Sequence, residues 1–163
     1  MNVLYDKPFK VKRKEFKPVP ELEHAFSTGG ESQKDYPRLI NGAKKAVARG
    51  YNVFILPNPS GLRTGDYILE RKNLYKLFDL KTISGKSSAG NRLLESKGQA
   101  NRALLNMNTT YNPRKLAQDI KDYFEDNPEA IEVLIFKGKR EISITRNMVN
   151  KYFIKDFMKE YGK

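Results

Sequence analysis

A chain of 163 residues, 39% of them hydrophobic, with nine tyrosines and nine phenylalanines, has enough apolar surface to fold as one compact domain. The absence of cysteine excludes disulfides, thiolate zinc sites and a cysteine nucleophile, and with His24 the only histidine, any metal must be held mainly by oxygen. Thirty-one Lys and Arg against nineteen Asp and Glu give a formal charge of +12, a field that attracts polyanions, so nucleic acid is the leading partner class.

Residues 7–20, KPFKVKRKEFKPVP, mix lysine with proline and carry no helical or strand period, so residues 1–30 are expected to form a basic arm or linker ahead of a single domain over 31–163. From Tyr36 the pattern changes. Tyr36, Leu39, Ile40, Ala43, Ala46 and Val47 recur at three and four, which predicts an amphipathic helix with Asp35 as N-cap, Pro37 in its first turn and Gly50 as its stop.

Tyr51–Leu56 reads as a strand ended by a loop rich in Pro and Gly. A second strand is expected over Asp66–Glu70, a turn at Arg71–Asn73, and a third strand over Tyr75–Thr82. The small polar loop Ile83–Ala89 then leads into a predicted helix over about 91–107, and another follows over Pro113–Phe124. Ile131–Phe136 and Glu141–Thr145 read as strands joined by Lys137–Arg140, and the chain closes on an amphipathic helix. This order predicts an α/β or α+β fold, a mixed central sheet flanked by helices. No apolar run approaches the roughly 20 residues of a membrane span, and the N-terminal stretch lacks a signal-peptide pattern, so a soluble chain is expected.

The third strand carries charge where core is expected. Side chains alternate along a strand, so Asp79 and Lys81 share one side and Phe78 and Leu80 the other, with Asp66 at the start of the neighbouring strand. Two converging carboxylates can hold a hard divalent cation such as Mg2+, and a nearby lysine can stabilise charge on a phosphate. The plainer alternative is a solvent-facing side of an antiparallel sheet.

Asp66, Asp79 and Lys81 resemble the D…(D/E)-x-K signature of the PD-(D/E)xK, restriction-endonuclease-like nuclease core. The succession Ala48-Arg49-Gly50-Tyr51-Asn52-Val53, Gly65-Asp66-Tyr67-Ile68 and Asp79-Leu80-Lys81-Thr82 is similar to the C-terminal nuclease domains of CdiA-type contact-dependent inhibition toxins, several of which cleave tRNA. That resemblance covers roughly Asp35–Met107. It implies a metal site of Asp66 and Asp79, with Glu31 as a further acid, holding Mg2+ or Mn2+. It also implies that Gln99 supports Lys81, while RNA cleavage without metal stays open.

Lys86, Arg92, Lys97 and Arg102 follow the acids as a basic segment, with Arg92, Gln99 and Arg102 on one face of the predicted helix. These residues, with Ser84, Ser87 and Ser88 of the small polar loop, are the candidate phosphate contacts. His24 is a candidate general acid or base, and Tyr67, Tyr75 and Tyr111 are candidates for stacking on unpaired bases.

The leading expectation is an endonuclease acting on tRNA as a toxin domain in the bacterial cytoplasm after delivery within a larger toxin, countered by an acidic immunity protein. A DNA nuclease with the same core and a nucleic-acid-binding protein without catalysis are the alternatives.

Overall fold

The computed structural model describes residues 16–28, 35–57, 65–85, 88–96 and 100–163. These form two compact units, residues 1–80 and 81–163. The division falls inside one strand, between Leu80 and Lys81.

The first unit contains strands β1 (Lys17–Val19), β2 (Leu22–Ser27), β3 (Asn52–Ile55) and β4 (Tyr67–Arg71), helix α1 (Tyr36–Ala48), and most of β5 (Leu74–Ile83). β2 and β3 run parallel, and β1/β2, β3/β4 and β4/β5 are antiparallel, so the sheet is mixed. The arm expected over residues 1–30 is thus strand from Lys17 onward. Ala25 is buried and registers with Val53. The prolines at 18 and 20 hide this from a composition reading, because proline is tolerated at sheet edges and turns.

Helix α1 begins after Asp35 as expected, with Pro37 in its first turn, but the Asp35 side chain makes no capping bond. The helix lies close on β4 and β5 because Gly42 carries no side chain. A Cβ there would sit 2.7 Å from the Tyr67 hydroxyl and 3.1 Å from a Leu80 methyl. β4 turns into β5 through Lys72 and Asn73, both at positive φ (56° and 65°), the backbone of a tight two-residue hairpin. Register aligns Phe54 with Ile68 and Ile68 with Leu77, and this face gathers Phe54, Leu56 and Ile68 with Phe16, Phe26, Tyr75 and Leu77. Alternation places Asp79 on the same side of β5 as Tyr75 and Leu77.

The second unit holds the end of β5, then α2 (Ala89–Glu95), β6 (Arg102–Met107), α3 (Pro113–Asp126), β7 (Glu132–Lys137), β8 (Arg140–Thr145) and α4 (Phe153–Tyr161). β6 and β7 are parallel and β7/β8 antiparallel, so this sheet is mixed as well. Ala103, Leu105, Val133, Ile135, Ile142 and Ile144 bury against Leu116, Ile120, Phe124, Phe153 and Phe157 of the helices. Each large apolar side chain of this kind contributes about 1.5–3 kcal/mol when fully buried.

The helix predicted over 91–107 is corrected here. It is a short helix ending at Glu95 and a strand beginning at Arg102. Leu104 and Met107 fit a helical spacing, but pairing against the apolar run of β7 draws this segment into the sheet, and tertiary context overrides a weak local preference.

Candidate functional site

Asp66 stands where β4 begins. Its N–H donates to the Phe78 carbonyl at 2.8 Å and its own carbonyl accepts from Leu56 N at 3.0 Å, so its backbone is locked between β3 and β5. Gly65, where the resembled core carries proline, is required by this closeness. A Cβ at 65 would meet Leu77 Cδ1 at 2.8 Å and the Phe78 carbonyl oxygen at 3.1 Å.

The Asp66 carboxylate turns onto β5. Oδ2 accepts from the Leu80 N–H at 2.7 Å, and Oδ1 lies 3.6 Å from Arg38 Nη2. Arg38 in turn donates from Nη1 to the Leu80 carbonyl at 3.1 Å, and its Nε lies 3.9 Å from Asp35 Oδ1. Both peptide groups of Leu80 are therefore held by side chains, one by an acid and one by its counter-cation. Leu80 is the residue between Asp79 and Lys81.

Asp79 is 1% exposed and Lys81 7% exposed. A solvated strand face would leave them open, so the plainer reading of these charges fails on burial alone. Buried charges persist only with compensating partners, and concentrating an acid and a base two residues apart on one strand costs stability that an apolar pair would not. Next to Asp66, burial pushes the Tyr67 phenol well above its ordinary range, with the Asp66 charge adding to the rise, and its hydroxyl donates to the Leu39 carbonyl. Tyr67 is core and offers no surface for a base. Tyr111 is likewise occupied, accepting from Ala89 N–H and donating to Asp119.

The other candidates divide sharply. Arg102, expected on a helix face, lies on β6 and pairs with Glu132 at 3.2 Å, with side chains 11% and 5% exposed, so its charge is spent inside the sheet. Arg92 is bonded to Glu95 at 2.9 Å along α2. Ser88 accepts from Asn91 N–H as the N-cap of α2, and Ser84 is exposed after β5. His24 is exposed, at φ 65°, with Nδ1 3.2 Å from Asn52 Oδ1. Lys137 and Arg140 donate to the carbonyls closing α4. Glu31, Lys86, Ser87, Lys97 and Gln99 lie outside the described residues.

A divalent cation would need oxygen ligands left available to it. Among the described residues no group of three or more Asp, Glu or His side chains converges. The Asp66 carboxylate is divided between a backbone N–H and a guanidinium. Among the described residues, Asp66 thus offers a divalent ion a carboxylate whose oxygens already face an N–H and a guanidinium.

Arg38 was missed by sequence reasoning. Its signal was its position: a cation in the first turn of a helix, with no acid in that turn, opposes the positive end of the dipole and calls for a partner outside the helix.

No protein-family model matches the chain, and no curated protein matches it. Among solved structures it is similar to a CdiA-CT/CdiI toxin and immunity complex from Burkholderia pseudomallei, at 17% identity over 79% of this chain and 94% of that one, with a TM-score of 0.47. No described helix is long and apolar enough to cross a membrane.

Proposed function

We propose that the chain is an endonuclease that cleaves phosphodiester bonds, with Asp79 and Lys81 of β5 as its reacting pair and Asp66 as the acid that fixes their strand. The observation that supports this is the burial of Asp79 and Lys81 on either side of a residue whose N–H and carbonyl are clasped by Asp66 and Arg38. A carboxylate and an ammonium placed two residues apart on one strand can divide the work of cleavage. Asp79 accepts the proton of the attacking hydroxyl as its oxygen bonds to phosphorus, and Lys81 offsets the negative charge growing on the phosphate oxygens as the leaving oxygen departs.

The choice of tRNA, and a role as the toxin domain of a contact-dependent inhibition system, rest on the resemblance of Ala48–Val53, Gly65–Ile68 and Asp79–Thr82 to such domains. In that role the domain acts in the cytoplasm of a bacterial target after delivery. A strongly basic chain of this kind pairs with an acidic immunity protein, because complementary fields speed their association.

The test is incubation with total tRNA and, separately, with linear duplex DNA, each in Mg2+, Mn2+ or EDTA, beside Asp79→Ala. Discrete tRNA fragments that fall at least about 100-fold in the variant are the expected result. Cleavage of DNA in place of tRNA would move the substrate and keep the chemistry. Intact nucleic acid in every lane would sink the reading and leave a binding protein.

A further inference from the structure

Four features of Arg38 bear on what cation serves this site. Its guanidinium faces Asp66 Oδ1, it bonds the Leu80 carbonyl, it lies near Asp35, and its side chain remains 28% exposed. The second Asp66 oxygen is committed to the Leu80 N–H. A metal ion binding Asp66 at Oδ1 would take the oxygen that Arg38 faces, and at either oxygen would bring two positive charges close to a group that cannot lose its own.

We infer that Arg38 is the built-in counter-cation of this site: it occupies the side of Asp66 that a divalent ion would take, and so closes the site to metal. The inference deepens the nuclease reading by naming the cation that Asp66 uses, but its first test needs no catalysis. Arg38 is a positioning residue in this account. It acts by holding Asp66 and the Leu80 peptide, and through them the strand that presents Asp79 and Lys81.

Two charges at contact distance near a protein surface repel strongly enough to lower divalent affinity by roughly 100-fold or more. Removing the guanidinium should therefore create a metal site where the wild-type chain has none. A side chain that merely braced the fold would not produce that gain.

The experiment is titration of the purified chain with Mn2+ alone at low ionic strength, followed by the electron paramagnetic resonance of the free ion. Wild type is expected to show no saturable site up to millimolar Mn2+. Arg38→Ala should gain one, roughly 100-fold or more tighter than any residual wild-type binding. Arg38→Lys should stay closed, and adding Asp66→Asn to Arg38→Ala should abolish the new site. Micromolar binding by wild type that disappears in Asp66→Asn would overturn the inference, and that measurement stands even where the alanine variant folds poorly. A well-folded Arg38→Ala that gains no Mn2+ would overturn it as well. In cleavage assays, activity that persists in EDTA agrees with it, whereas activity abolished by EDTA would refute it and leave the nuclease itself standing.

Discussion

Arg38 and the arginines of residues 81–163 are used in opposite ways, while Arg49 and Arg71 of the first unit serve carbonyls at the end of α1 as the latter do. In residues 81–163, Arg146 donates to the carbonyls of Phe124, Asn127 and Ala130 where α3 ends, and Arg140 does the same for Tyr161 and Lys163 at the end of α4. Arg102 neutralises a buried glutamate. These arginines satisfy carbonyls and an acid that the fold itself leaves open, at the negative ends of helices or inside a sheet. In residues 1–80, Arg38 sits at the wrong end of its helix for that task and reaches across to an acid and a peptide on the sheet. A charge of +12 is therefore not a measure of binding surface, because part of it is structural. Arg38 is the arginine whose position makes least sense for its own helix.

Substitutions can break or sharpen this contrast. The largest loss is expected for Arg102→Ala, which removes the guanidinium from the buried Glu132 carboxylate, at a cost of about 3–5 kcal/mol in urea unfolding. Replacing both partners, Arg102→Met with Glu132→Leu, should recover most of it. Recovery to wild-type cleavage would confirm that this arginine is structural. Arg146→Ala follows at about 2–4 kcal/mol, because three carbonyls lose a charged donor together.

Tyr67→Phe is expected to cost about 1 kcal/mol near neutral pH through the lost bond to Leu39. It should also flatten the alkaline limb of the stability curve. The folded state raises the Tyr67 pKa, so the stabilisation of its neutral form is complete below the unfolded value of about 10 and is lost as pH climbs from there toward the folded value. Unfolding curves of the two chains should diverge below that pH and converge above it. The smallest stability change, under about 1 kcal/mol, is expected for Arg38→Ala, since its ion pair is partly solvated. A drop as large as that of Arg146→Ala would erase the distinction between Arg38 and the arginines that cap helix ends.

The sequence showed most of this fold wherever period and punctuation agreed. The Tyr36 to Ala48 stripe, the hairpin about Lys72 and Asn73, and α3 behind Asn112-Pro113 were legible because local preference and tertiary role coincide there. Residues 102–107 were not, since RALLNM has no strand preference of its own and becomes a strand only through its neighbour. β1 was hidden by its lysine and proline, and β2, LEHAFS, shows no clean alternation. At the site, alternation alone put Asp79 and Lys81 on one side of a strand. Burial and the Arg38 contact could not be read, because Arg38 and Leu80 are 42 residues apart and only folding joins them.

The bond from the Asp66 carboxylate to the Leu80 amide has a practical consequence for anyone who wants a silent version of this chain. A carboxylate that replaces a rung of backbone pairing cannot be truncated without loosening the strand it secures, so Asp66→Ala would confuse lost chemistry with lost shape, whereas Asp66→Asn keeps an acceptor oxygen for the Leu80 amide. A silent version is better built at Asp79, the proposed base, with its fold checked beside its activity because that side chain is buried.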